Sequence, residues 1–248
     1  MPTAPPDGPA RERPDPALGL FETMLVCDGQ VQEPAAHLRR LAASVAELYG
    51  AELPRGLPIE LQRRAAALTG EHRLRVDAIP APGGLRIGWR TSPLDPGSSA
   101  PVRCHEVVLA GGLGPHKWSD RRALDRLAVS DATALIVDHD GAVLEAAWAN
   151  LWLIEGRKLI TPPADGRILP GVTRAQLLEL APELGLVARE ESVSTARIRA
   201  AEGLFLTSSL RHAVGAGLAG EIAREPEHPV TAAIRAGLRA HGWTVSIS

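Results

Sequence analysis

The chain has 248 residues, 45% of them hydrophobic and 23% charged, enough for one large or two modest domains with a sizeable core. Such a length excludes a disulfide-stapled miniprotein, and no internal repeat points to a repeat array. The 27 basic and 29 acidic residues leave a net charge of -2. Like charges fall only in short pairs such as Arg63-Arg64 and Arg121-Arg122, which argues against nucleic acid or an anionic membrane as partner.

Residues 1–17, rich in proline and charge, predict a disordered tail. Leu20 to Val26 followed by Asp28-Gly29 predicts a strand and a hairpin turn. From Ala36 to Tyr49, Leu38, Leu41, Val45 and Leu48 share one helical face and Gly50 supplies a stop. A second helix is expected over Ile59 to Leu68, then strands over Arg73–Ile79 and Leu85–Arg90 around Pro82-Gly83-Gly84. The Pro/Gly/Ser-rich stretch Ser92 to Pro101 is the clearest interior loop, and it divides a small N-terminal α/β domain, 18–95, from a larger C-terminal one, 102–248. Beyond it come a strand over His105–Ala110, a Gly-rich loop to Lys117, a helix over Ser119–Ser130 and three strands within Ala134–Thr161. The remainder alternates helix (Thr173–Glu183), strand (Leu186–Glu190), helix (Thr195–Ala201), strand (Leu204–Thr207) and a final helix from Val230. Mixed elements in two halves predict an α+β (mixed α/β) protein.

Several familiar constellations fail. Cys27 and Cys104 stand far apart and the eight histidines lack ligand spacing, so neither a disulfide framework nor a metal site is expected. Gly215 to Gly220 fits GxGxxG, yet too little chain follows for a dinucleotide-binding half. The lysine after the Gly-rich loop is flanked by His116 and Trp118, not by the glycine and hydroxyl of a P-loop. No apolar stretch approaches the ~18 residues of a membrane span, and the N-terminus has no apolar leader core, so a cytoplasmic protein is expected.

What survives centres on Lys117, one of only two lysines, and on Asn150, the only asparagine. Glu145 and Asn150 stand five apart in a predicted strand pair, Val172 and Thr173 follow Pro170-Gly171 at a helix N-terminus suited to an anion, and Ser208-Ser209 follow a strand. In order, LFETMLVCDG, HLRRL, HKWSDR, E-x4-N, LPGVTR and LTSSLR resemble the fold-type IV, or class IV aminotransferase, group of pyridoxal phosphate (PLP) enzymes over roughly residues 18–215. The resemblance implies a two-domain fold like that of D-amino acid aminotransferase, PLP as cofactor, a small-molecule amino substrate and a homodimer. It makes Lys117 the residue that bonds the cofactor aldehyde and Glu145 the partner of the ring nitrogen. Arg40, Val172, Thr173, Ser208 and Ser209 would hold the phosphate, and Asn150 counts among the cofactor-binding residues, the structural alternative being that it only braces the Glu145 loop. An ordinary lysine, with a pKa near ~10.4, has well under about one part in a thousand free base at pH 7, and burial beside cations can bring it to about 7–8.

The sequence departs from the family pattern where Pro-Asp-Pro-Ala-Leu-Gly precedes the FET stretch, where Ala146 follows the glutamate and where Phe21 stands at a position often tyrosine. Phe21 and Arg90, the latter a candidate for gripping a substrate carboxylate, are the substrate-side residues the resemblance suggests. The compact length and the LFET…HLRRLAAS opening look most like 4-amino-4-deoxychorismate lyase, which gives 4-aminobenzoate and pyruvate. A class IV transaminase of D-amino acids, branched-chain amino acids or amines, and a non-catalytic binding subunit on the same fold, stay open as alternatives.

Overall fold

The computed structural model describes residues 13–95, 101–220 and 227–243. The first twelve residues and the middle of the interior Pro/Gly/Ser loop, two stretches singled out in the sequence, lie largely outside them. The tail expected to run disordered to residue 17 is ordered in its last part. Asp15 caps a 3-10 turn over Pro16–Leu18 by accepting from the Ala17 amide, and the Tyr49 hydroxyl donates to the Pro16 carbonyl at 2.8 Å.

β1 (Leu20–Cys27) turns through Asp28 and Gly29, both at positive φ, into the short β2 (Gln30–Val31). α1 (Pro34–Tyr49) follows and stops at Gly50, whose left-handed conformation lets its amide close on the Ala46 carbonyl. Its innermost face is His37, Leu41, Ser44 and Val45, with Leu38 and Leu48 at the edges. α2 (Leu57–Ala65) and the long hairpin β3 (Glu71–Ala81) and β4 (Gly84–Pro93) complete a four-stranded antiparallel sheet ordered β2-β1-β3-β4. Alternate residues Leu20, Met24, Val26, Leu74, Val76 and Ala78 pack on both helices. Each buried side chain of Leu size contributes roughly 1.5–3 kcal/mol.

After the loop come β5 (Val102–Val108), α3 (Arg122–Arg126), β6 (Thr133–Val137), β7 (Ala142–Ala146), β8 (Ala149–Glu155) and β9 (Lys158–Thr161). α4 (Val172–Leu180), β10 (Val187–Glu190), β11 (Val193–Ser194), α5 (Thr195–Ala200), β12 (Gly203–Ser208), β13 (His212–Leu218) and α6 (Pro229–Ala240) complete the chain. The sheet runs β10-β9-β8-β12-β13-β5-β6-β7-β11, and β8 also pairs with β7, so six strands close into a barrel. One face of those strands, including Leu135, Val143, Leu151, Leu206 and Val214, forms one core. Trp152 and Phe205, stacked at 5.9 Å on the other face, pack against α4 and α6.

Three expectations are corrected here. The helix expected over Ser119–Ser130 is only five residues long, because the Ser119 amide is taken by the Gly19 carbonyl and Leu127 already turns back onto Leu124. The three strands within Ala134–Thr161 are four, the extra turn being Ala147-Trp148, which carries none of the usual turn residues. The run between the strand at Leu204–Thr207 and the final helix, expected to hold no further strand, contains β13, which pairs with β12 and β5 and places Gly215 and Gly217 in the barrel wall.

Candidate active site

A cleft that together with its open mouth holds about 770 Å3 of space is lined by Lys117 and Glu145, and by Arg40, Asn150, Val172, Thr173, Ser208 and Ser209. The fold thus brings eight expected residues, spread from Arg40 to Ser209 along the chain, to one place. Phe21 and Arg90 are not among the lining residues. The Phe21 ring lies 4.9 Å from Lys117 Nζ, with the Arg75 guanidinium 3.6 Å from its centroid. Arg90 is 67% exposed and its guanidinium is committed to Asp77 at 2.9 Å, so the structure does not carry this substrate-side expectation into the cavity.

Lys117 ends the Gly-rich loop. Gly112, at φ +64°, packs so tightly that a Cβ there would stand 2.2 Å from the Arg167 carbonyl oxygen, and that same carbonyl accepts from the Gly114 amide. The loop is thereby pinned to the segment leading into Leu169. On the other side the Lys117 carbonyl accepts from the Phe21 amide at 3.0 Å, and Trp118 bridges to Leu20. Burial first, and the Arg40 and Arg121 charges with it, pull the Lys117 ammonium down to about 8 against the opposing pull of Glu22 and Glu145. At pH 7 this raises the free-base fraction about three-hundred-fold over an ordinary lysine.

Glu145 reaches the cavity through an irregularity in the barrel. The β6–β7 register slips between Leu135 and Val137. The slip turns Val143 and Ala146 toward the barrel core while Glu145 faces the cavity beside Asn150. Its carboxylate accepts from Asn150 Nδ2 at 3.2 Å and from the Leu169 amide at 3.2 Å. Asn150 also donates to the Leu169 carbonyl at 2.9 Å, so one side chain fixes both the carboxylate and the loop above it. Burial pushes the Glu145 carboxyl up to about 8, opposed by the Leu169 amide and by the charges of Lys117, Arg40 and Arg121.

The far end of the cavity is a set of donors. Gly171 begins α4 with no side-chain cap, leaving the Val172 and Thr173 amides of the first turn beside the Ser208 and Ser209 hydroxyls. Arg40 donates through Nε and Nη2 to Glu22, at 2.7 and 2.8 Å, and through Nη1 to the Pro170 carbonyl at 2.9 Å. His37 links the same carboxylate, 2.8 Å from Nδ1, to Ser209 Oγ, 3.3 Å from Nε2. The Arg40 and His37 contacts hold the buried Glu22 carboxyl well below the usual carboxylate range despite its burial. An uncapped helix start, two hydroxyls and an arginine fit a dianionic phosphate. Lys117 and Glu145 in the same cavity fit the aldehyde and the ring nitrogen of PLP.

Sequence reasoning passed over Glu22, His37, Arg121, Trp118 and Trp148. Glu22 left a signal, being a carboxylate on the otherwise apolar Leu20–Met24–Val26 face of β1. Gly171 is required by packing, since a Cβ there would stand 1.9 Å from Asn150 Oδ1. Gly171→Ala is expected to lower the melting temperature by an amount worth about 1–3 kcal/mol and to weaken cofactor retention, measured by thermal melting and absorbance; an unaltered variant would show that Asn150 is free to move.

The profile of the amino-transferase class IV family matches residues 19–216, and the chain belongs to that family of PLP-dependent enzymes. Among curated proteins, branched-chain-amino-acid aminotransferase 1, mitochondrial, of Arabidopsis thaliana is 35% identical over 103 residues, 42% of this chain and 27% of that protein. A probable branched-chain-amino-acid aminotransferase of Staphylococcus aureus is 31% identical over 138 residues, 52% of this chain and 38% of that protein. The chain therefore spans only 27% to 38% of these relatives' length. Among solved structures, 4-amino-4-deoxychorismate lyase from Pseudomonas aeruginosa superposes with a TM-score of 0.78 at 24% identity, covering 95% of this chain and 96% of that one. A hypothetical aminotransferase from Mycobacterium tuberculosis, in its PLP-bound form, gives 0.76 at 24% identity over 96% and 94%. These likenesses establish the fold, a mixed α+β architecture of fold-type IV. Among the described residues no helix is long and apolar enough to cross a membrane, and no group of three His, Cys, Asp or Glu could hold a metal ion.

Proposed function

We propose that this protein is a PLP-dependent 4-amino-4-deoxychorismate lyase, with Lys117 as its reactive amine, working as a homodimer of two-domain chains (18–95 and 102–248). The observation that carries the lyase reading is the lining around Lys117. It includes two indoles, Trp118 and Trp148, and the Arg121 side chain, a lining suited to a flat, anionic ring and less so to an aliphatic side chain.

In this reading Arg40, the Val172 and Thr173 amides and the Ser208 and Ser209 hydroxyls bind the phosphate and orient the ring. Bound PLP supplies an aldehyde for the substrate amine and a conjugated ring that accepts the electrons of a broken C–H bond. Glu145, steadied by Asn150 and Leu169, holds the proton on the ring nitrogen. Lys117 Nζ would remove the proton from the amine-bearing ring carbon of the substrate. It would return a proton to the enolpyruvyl methylene as the ring C–O bond breaks, so that this group leaves as pyruvate and the ring becomes aromatic.

The test is stoichiometric. With 4-amino-4-deoxychorismate and no added 2-oxo acid, equal amounts of pyruvate and 4-aminobenzoate are expected over many turnovers, since Lys117 is restored each time. A transaminase would stop after one half-reaction. Exchange of D-alanine or leucine with 2-oxoglutarate and no aminobenzoate would replace the lyase reading with that one.

A further inference from the structure

Arg121 stands four residues beyond Lys117, on a segment tied down at several points. The Ser119 amide donates to the Gly19 carbonyl, and the Asp120 carboxylate accepts from the Asp15 amide at 2.9 Å and from Arg122 at 2.7 Å. The Arg121 side chain lines the cavity with Lys117, Glu145 and Trp148. Among the described residues its hydrogen bonding comes to a single bond, from Nη2 to the Ala147 carbonyl at 3.1 Å. Neighbouring guanidiniums are committed: Arg40 to Glu22, Arg122 to Asp120, and Arg75 and Arg90 both to Asp77. No carboxylate of the described residues lies within ion-pair distance of Arg121; Asp125, one helical turn on, acts on it only as a more distant charge. A half-buried guanidinium facing a cavity with most of its five donors unused is costly unless something else satisfies them.

We infer that Arg121, and not Arg90, takes the ring carboxylate of the substrate in this cavity. The inference deepens the lyase reading and rests on it for the identity of the substrate, but it requires only that the substrate amine carry a carboxylate. A planar fork on a pinned backbone is prepaid for bidentate capture. Its bond to Ala147 ties it to the Ala147-Trp148 turn, so the group that grips the acid also fixes the indole that flanks the ring. The approach has the same sign. A groove lined by Arg13, Arg122 and Arg126 shares Pro14, Asp120 and Ala123 with the cavity, and such a rim favours arrival of anions.

Calorimetric binding of 4-aminobenzoate and of its uncharged counterpart 4-aminobenzamide to the holoenzyme tests this without turnover. The wild-type protein is expected to prefer the carboxylate at least about tenfold. Arg121→Gln, which can still donate to Ala147, is expected to bring the two ligands within about twofold while leaving amide affinity unchanged. Arg121→Lys keeps the charge without the fork and should retain part of the preference, which guards against a glutamine variant that fails to fold. No preference in the wild type, or a preference that survives in Arg121→Gln, would overturn the assignment; so would equal weakening of both ligands, the mark of a residue that only braces the turn. A protein that forms no pyruvate yet shows the Arg121-dependent preference loses the lyase reading alone. A working lyase whose preference survives Arg121→Gln loses this assignment alone.

Discussion

Borohydride reduction of the yellow holoenzyme is expected to bleach its visible band and fix the cofactor to Lys117, with no label on Lys158. These are the chain's two lysines, so one peptide map decides the matter. Lys158 begins β9 on the exposed side of its hairpin, whereas Lys117 is enclosed in the cavity. Lys117→Ala is expected to lose at least about 10³ of turnover, since it removes both the nucleophile and the proton carrier. The sign of the pH dependence follows from the same environment. Nζ must be uncharged to attack an aldehyde, and its ammonium is drawn down to about 8. Capture of added PLP by the apoenzyme should therefore accelerate as pH rises toward 8 and level off above it. A capture rate that keeps climbing tenfold per pH unit past 9 would mean that the lysine titrates as if in water, and label on Lys158 would remove the assignment altogether.

Glu145→Gln is expected to keep the cofactor and lose about 10²–10³ in rate. Binding survives in this variant because the phosphate donors are untouched. Rate falls because an amide cannot hold a proton on the ring nitrogen. Burial raises the Glu145 carboxyl to about 8 in the cofactor-free cavity, so a positive ring nitrogen beside it would favour the ionised form and the pair would form as the cofactor enters. Near-wild-type turnover would show that another group faces the ring nitrogen.

The regular parts of this fold were legible because local chemistry and tertiary context agree there. Asp28-Gly29 turns the first hairpin, Gly50 ends the first long helix, and the alternation in Leu20, Met24 and Val26 marks a strand covered on one side. The parts that misled are those where a distant segment decides. Ser119 and Asp120 look like a helix start, but Gly19 and Asp15, a hundred residues away, claim their polar groups. Ala147-Trp148 makes a turn without turn residues because the β7–β8 pairing on either side of it closes the barrel. For the candidate site, the motif order pointed to eight residues that do line one cavity. The register slip that aims Glu145 leaves no trace in composition, and Arg121 was hidden in what reads as a surface pair of arginines. Arg90 stays out of the cavity for a similar reason: the carboxylate of Asp77 on the neighbouring strand holds its guanidinium.

The backbone from Lys117 onward is stitched to the first strand and the turn before it: the Lys117 carbonyl to Phe21, Trp118 to Leu20, and the Ser119 amide to Gly19. The chain carrying the chemistry of the barrel is thus also a seam strand of the other half. A cofactor bonded to Lys117 and held at its phosphate by Arg40 of α1 and by α4, as proposed, would span that seam like a rivet. On the proposed reading, cofactor occupancy and cohesion of the two halves would be linked, so that ligand loading would stabilise the joint by mass action. Substitutions far from the cavity that loosen the joint would then register first as leakage of the cofactor, before any loss of fold.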